Sequence, residues 1–418
     1  MRIRLINCRI MGEGDLCELN VENGYIVDSL TKAPDRIIDV QSAAVFPGLI
    51  DAHCHLREPG YEYREDIVSG TMSAAKGGFT SVCPMPNTKP VCDNPSIVRS
   101  IVSKAKTKGY ANVFPIGAVS KGLEGKELAE YGLMKEEGIV AISDDGRPVA
   151  TADLLRKAMQ YASDFDLIVM NHCEEVSLAD GSMNEGYLST QLGLRGISTA
   201  AEDIMIARDI VLAEYLGLPI HICHVSTKNG VRLIREAKAR GVKVTAETCP
   251  HYFTLTEEAC IGFDTNAKMN PPLRTKEDVV AIIDGLRDHT IDLIVTDHAP
   301  HHADEKNIEF SLANNGIVGF ETAFALGYTY LVRPGHLSLA DLVACMSANP
   351  SDLLCLHRGC LDRGAPADIA IFNLSDPYVF DKEKMLTKGR NTPYHGYTLY
   401  GETMLTICGG EITYEKFC

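Results

Sequence analysis

The sequence predicts an α/β fold, a closed (β/α)8 barrel carrying a small β domain built from both chain termini. Three observations predict it. Eight apolar, strand-like runs follow one another from Phe46 to Asp297, with helical patterns between them. Both chain ends, residues 1–45 and 356–418, have the alternating texture of half-buried strands. Metal-ligating side chains stand at the C-terminal ends of five of the eight runs, the face on which barrel enzymes place their chemistry. At 418 residues the chain is long enough for a barrel of residues 46–355 beside the terminal domain.

Taken in order, Arg2–Asn7 alternates, and Glu22-Asn-Gly24 is a turn signal between two strand-like runs. The barrel runs are Phe46–His53, Phe79–Cys83, Asn112–Gly117, Ile139–Asp144, Leu167–His172, Pro219–His224, Lys243–Thr248 and Asp292–Asp297. Helical periodicity fills the gaps, as in Ala201–Tyr215 and Asn229–Ala239. No GxGxxG follows the first run, which sets aside an open doubly wound sheet. In the tail, Ala367–Phe372 and Met404–Cys408 alternate, and Gly409-Gly410 reads as a hairpin turn.

Composition narrows the function. The chain is 45% hydrophobic and 23% charged, ordinary for a globular protein, and no apolar run has the length of a membrane span. A formal net charge of -16 argues against a nucleic-acid surface, so an anionic substrate needs local cations. The 14 cysteines form no CxxC pair, which argues against a zinc knuckle or a disulfide framework. That usage, with no secretory signal in Met1–Ile6, leads us to expect a cytoplasmic protein.

The chemistry centres on Phe46–Gly60. In a strand, residues two apart share a face, so His53 and His55 form a pair of imidazole ligands, with Cys54 turned away. Arg57 is a cation just beyond them. Run four ends in Asp144-Asp145-Gly146, run five in Asn171-His172, run six in His221-Ile-Cys-His224, and run eight in Asp297-His298-Ala-Pro-His301. Four histidines and two aspartates converging from these runs are enough for two divalent metal ions sharing a carboxylate. Zinc suits the donor set best, and manganese, cobalt or iron also accept it. Blander readings exist: Asp-Asp-Gly is itself a turn motif, and His172 and His224 end buried runs. Of His221 and His224 only one can face the axis; His224 is nearer the strand tip, and His221 is left to orient a ligand. His298 should point away from Asp297. His251, His289, His302, His336, His357 and His395 read as ordinary.

These motifs resemble the amidohydrolase superfamily and, within it, the dihydroorotases whose metals are bridged by an aspartate. The carriers are Pro47–Arg57, Met85-Pro-Asn87-Thr, Ser143–Arg147, Asn171–Glu174, His221–Ser226, Met269–Arg274, Thr296–His301 and Gly319–Thr322. The resemblance implies that His53, His55 and Asp297 bind one metal, that His172 and His224 bind the second, and that an aspartate bridges both, with Asp144 and Asp145 both open and the motif favouring Asp145. It implies that Arg57, Asn87 and His301 hold a substrate carboxylate. Asn270 then meets the ring, and Asn315 and Gly316 touch it through backbone groups. The implied reaction is the reversible cyclisation of N-carbamoyl-L-aspartate to dihydroorotate, with Asp297 as general base. Ala299–Gly316 is either a lid over that substrate or a passive surface loop. A homodimer is implied by family analogy. Two other readings are an allantoinase or dihydropyrimidinase-like hydrolase and an inactive scaffold that has lost its ligands.

Overall fold

A computed structural model describes residues 1–417. The terminal sheet comes first. Arg2–Ile10 pairs antiparallel with Cys17–Glu22, which turns back into Tyr25–Val27. Asn23 and Gly24 make that two-residue turn, both with positive φ, as the right-handed twist of a hairpin requires. The tail contributes Ile369–Asn373, Glu402–Cys408 and Glu411–Glu415 to the same sheet. Ala44–Pro47 joins the two ends: it lies parallel to the first strand and antiparallel to Ile369–Asn373. The alternating apolar residues close a separate core of Ile3, Leu5, Val21, Ile369, Ile371 and Leu405.

At Gly48 the chain leaves this sheet. A Cβ there would lie 2.2 Å from Thr80 Oγ1, so the Thr80 side chain packed against this backbone leaves room only for glycine. The next strand, Leu49–Cys54, carries the first two candidate ligands, so the run Phe46–His53 divides between two sheets.

All eight expected runs contain strand. Leu49–Cys54, Phe79–Pro84 and Asn112–Val113 form a three-stranded parallel sheet. Ile116–Ala118, Ala141–Ser143, Val169–Asn171, Ile220–Ile222, Val244–Thr248 and Leu293–Ile294 form a six-stranded parallel one. The architecture is therefore α/β, with the strands in two arcs. The ladder breaks between Val113 and Ile116, where Pro115 has no N–H to donate. At the other junction, Asp297 N donates to His53 O at 3.0 Å and His55 N to His298 O at 2.9 Å. Beneath them the Asp51 carboxylate accepts from Thr296 N and Oγ1, at 3.0 and 2.5 Å.

Strands buried on both faces divide their side chains between two cores. Leu49, Phe79, Val82, Ile142, Ile222 and Ile294 pack outward against helices such as Ala200–Leu216 and Lys228–Ala239. Ala52, Cys83, Ala141, Met170, Cys223 and Cys249 pack inward. These inner side chains are small or sulfur-bearing, and the larger imidazoles stand on the same strands. No helix among the described residues is long and apolar enough to cross a membrane, and the described cysteines are free.

Candidate active site

Four imidazoles and two carboxylates meet where the parallel strands end. His53 Nε2 lies 3.4 Å from Asp145 Oδ1 and 3.7 Å from Asp297 Oδ1. His55 Nε2 is 3.0 Å from Asp297 Oδ1 and 3.5 Å from Asp145 Oδ2. On the other side of Asp145, His224 Nε2 approaches Oδ1 to 3.3 Å and His172 Nδ1 to 3.6 Å. Asp145 thus stands between two pairs of histidines. Asp144 does not compete for the position, because its carboxylate is bound to Ser120 N and Oγ at 2.9 and 2.5 Å.

The donor set fits divalent metals. His53 Nδ1 donates to Glu247 Oε1 at 2.5 Å, which leaves Nε2 as a lone pair facing two carboxylates. His55 Nδ1 donates to Asn87 Oδ1 at 2.9 Å, and the same argument applies to its Nε2. Lone pairs facing carboxylate oxygens repel unless a cation lies among them. His53 Nε2, His172 Nε2 and His224 Nδ1 are buried and find no hydrogen-bond partner among the described residues. His53, Asp145 and His224 can each offer one ligand atom within 4.8 Å of the others, and so can His53, His55 and Asp297. Burial disfavours both carboxylates' charge, yet the surrounding histidines overcome it. Asp145 is held well below the usual carboxylate range, because the imidazoles of His53, His172 and His224 around it favour its charged form. Asp297 is likewise lowered by the His55 and His53 imidazoles beside it.

Sequence reasoning missed Glu247, a fully buried carboxylate inside the strand Val244–Thr248. Besides His53, it accepts from His221 Nε2 at 3.0 Å and from His224 N at 3.3 Å. His221 therefore acts on the cluster through Glu247 rather than on a ligand directly. A charged residue within an apolar run was the available signal. His251 also differs from the ordinary residue expected. It is buried beside Cys249 and Asp297 with Nε2 unpartnered, and burial lowers it to about 4. His298 does point away from the cluster, stacked on Phe320 at 4.0 Å with Nε2 3.5 Å from Glu65.

Above the cluster lies a cavity of about 260 Å³, walled by Arg57, Asn87, Asn270, His301, Asn315 and Gly316. Arg57 Nε donates to Pro300 O at 3.2 Å, and Nη2 lies 3.5 Å from His301 Nε2. Burial and the Arg64 charge bring its guanidinium down to about 10, still cationic at neutral pH. His301 is held well below its ordinary value by burial and the Arg57 charge, so it is a neutral imidazole. Its Nε2 donates to Asn315 O at 2.7 Å. Asn270 Nδ2 donates to Glu174 Oε1 at 2.8 Å, and its Oδ1 stays buried and unpartnered. The loop carrying Asn270 is fixed by Arg274, which ion-pairs with the buried Glu202 at 3.3 Å and donates to Ser226 Oγ at 3.1 Å. Arg57, His224 and Asp297 all have positive φ, a backbone conformation that side-chain-bearing residues rarely adopt and that clusters at functional sites.

The chain is similar to known proteins over nearly all its length. It is 57% identical over 405 residues to a dihydroorotase of Acetivibrio thermocellus, covering 96% of this chain and 95% of that one. It is 61% identical over 388 residues to a dihydroorotase of Ruminiclostridium cellulolyticum, covering 93% and 91%. The family described as Dihydro-orotase-like matches residues 43–230. Among solved structures, the L-hydantoinase of Arthrobacter aurescens superimposes with a TM-score of 0.87 at 23% identity, covering 99% of this chain and 96% of that one. At that identity the likeness is one of fold. The full-length identity to the curated relatives goes further, and by it the chain belongs to the dihydroorotase family.

Proposed function

We propose that the chain is a dihydroorotase, a metal-dependent cyclic amide hydrolase that interconverts N-carbamoyl-L-aspartate and dihydroorotate in pyrimidine biosynthesis. One observation carries the reading: a cluster of four imidazoles and two carboxylates lies on the floor of a small cavity whose wall holds a buried arginine.

Each residue then has a role. His53, His55 and Asp297 would hold one divalent ion, His172 and His224 the other, and Asp145 would serve both. Zinc is the metal we assign. When bound, such ions activate water near neutral pH and polarise an amide carbonyl. The protein's part is to place the substrate and move the proton. Arg57 grips the free carboxylate with its planar fork, away from water. Asn87 Nδ2 and His301 complete that contact, and Asn270 and the backbone of Asn315 and Gly316 meet the ring. In ring opening, Asp297 accepts the proton of the attacking water and passes it to the departing ring nitrogen. In synthesis it removes a proton from the carbamoyl nitrogen. A carboxylate kept ionised among histidines suits that base.

The carboxylate grip separates this reading from a hydantoinase or allantoinase, whose cyclic amides need no such cation. The presence of every expected ligand separates it from an inactive scaffold. The reading also includes a homodimer and a cytoplasmic setting. It takes the two parallel arcs as one closed (β/α)8 ring of residues 46–355. Residues 1–45 and 356–418 form the small domain, and Phe46 and Pro47 complete its joining strand.

Turnover of dihydroorotate before and after chelation, with zinc added back, tests the proposal. Activity should vanish with chelator, return with zinc, and exceed that on hydantoin, dihydrouracil and allantoin. Undiminished turnover in chelator, or a preference for hydantoin, would overturn it.

A further inference from the structure

Two buried lysines have no part in the chemistry above. Lys268 and Lys306 are 6% and 4% exposed. A buried ammonium is ordinarily paired with a carboxylate, because an isolated charge away from water is costly. Among the described residues these two donate to backbone carbonyls instead, and nearly all of those carbonyls belong to one segment. Lys268 Nζ donates to Ser311 O at 2.8 Å and Ala313 O at 2.7 Å. Lys306 Nζ donates to Asn314 O at 2.8 Å, Gly316 O at 3.3 Å and Lys268 O at 3.4 Å. Three N–H donors thus meet three carbonyls. Gly316 N also donates to Lys268 O at 3.0 Å, tying the segment to the chain that leads to Asn270. Burial and the neighbouring Lys268 charge pull the Lys306 ammonium down to about 7.

The segment so held ends at the cavity wall. Its residues have no strand or helix of their own, and of the carbonyls the lysines bind in it only Gly316 O has a further side-chain donor among the described residues, Asn391 Nδ2 at 3.0 Å. Carbonyl dipoles converging on one place repel each other unless a cation lies among them. Without it the Ser311, Ala313 and Asn314 carbonyls lose the side-chain donors that hold them, and the segment gains by turning them to water.

We propose that Lys268 and Lys306 are positioning residues for the substrate. Their ammonium groups hold the backbone of residues 311–316 in the geometry that presents Asn315 and Gly316 to the cavity, and so set affinity rather than the rate of the chemical step. This rests on the cavity being the substrate site.

Lys306→Met and Lys268→Met, each metal-loaded, test it by kinetics on dihydroorotate and by chymotrypsin cleavage after the exposed Leu312. KM should rise about tenfold, as for a segment competent roughly one-tenth of the time. kcat should stay within about twofold. Metal content should hold, and cleavage should accelerate. Fully metallated variants with unchanged KM and cleavage would overturn the proposal, as would a fall in kcat at constant KM. If Lys306→Met does not fold, Lys268→Met carries the test. Failure of both to fold would overturn it in favour of a folding role. A wild-type protein that does not open dihydroorotate defeats the reading of the site, and leaves the cleavage comparison to judge the lysines.

Discussion

His53, His55, His172, His224 and Asp297 reach the cavity floor from the ends of parallel strands, whereas Asn314, Asn315 and Gly316 reach its wall from a segment without regular structure. On the floor, the side chains stand in or just beyond the ends of paired strands, and for two of them a neighbour holds the far end. Glu247 does this for His53 and Asn87 for His55. At the wall, the backbone itself is what faces the cavity, and side chains hold it from behind. Lys268, Lys306 and His301 bind its carbonyls, while Asn391 Nδ2 donates to Gly316 O at 3.0 Å. The difference teaches where each kind of error should appear. A change in the floor should alter metals or chemistry, and a change in the wall should alter affinity.

The largest effect should come from the floor residue with two tasks. Asp297→Asn keeps an oxygen able to coordinate but removes the group that carries the proton. We expect kcat to fall roughly 10²-fold or more, the scale of general acid–base catalysis, with metal content little changed. Steady-state kinetics with metal analysis checks this. Near wild-type turnover would remove Asp297 from the proton path and leave it a ligand only.

The same contrast explains what could be read from the sequence. The floor was legible because strand geometry imposes a period of two and because function demands rare residue types at strand ends. The His53-Cys54-His55 spacing and the Asp297-His298-Ala-Pro-His301 ending carry that information directly. The choice between Asp144 and Asp145 was not legible from residue type, since it depends on Ser120, whose hydroxyl and amide claim Asp144. Glu247 left a faint mark, one acid in an apolar run, but its partners come from strands distant in sequence. The wall left none. Carbonyls belong to every residue, so the acceptors of Lys268 and Lys306 have no sequence signature. The eight-run pattern foretold the strands. It could not tell that Phe46 and Pro47 pair with the tail, because that pairing is decided by Ile369–Asn373.

A smaller effect on the floor should follow from Glu247. Removing its carboxylate leaves the His53 and His221 rings without their buried acceptor. Glu247→Ala should weaken metal binding about 10- to 100-fold, the usual cost of losing a partner that orients a ligand. Glu247→Gln keeps an oxygen to accept from His53 Nδ1 and should recover part of that loss. Competition between the apoprotein and a chromogenic chelator measures it. Metal affinity in Glu247→Ala equal to wild type would mean that packing alone aims His53.

The smallest effect, and the sharpest on the wall, concerns Gly316. Its φ of +134° lies where residues with a Cβ are strained. A Cβ there would sit 2.8 Å from Ala299 Cβ and 3.2 Å from His301 Nε2. Neither neighbour can retreat freely: Asn391 Nδ2 bonds Ala299 O, and His301 Nε2 is bonded to Asn315 O. The strain of Gly316→Ala therefore has to be relieved by moving the wall segment or the His301 ring, both placed here against the substrate. We expect a cost of about 1–3 kcal/mol in stability and a few-fold rise in KM, with kcat and metal content nearly constant. Thermal unfolding with steady-state kinetics reads both. If kcat fell and KM held, the wall would be coupled to the floor chemistry, and the division of labour between the two regions would fail.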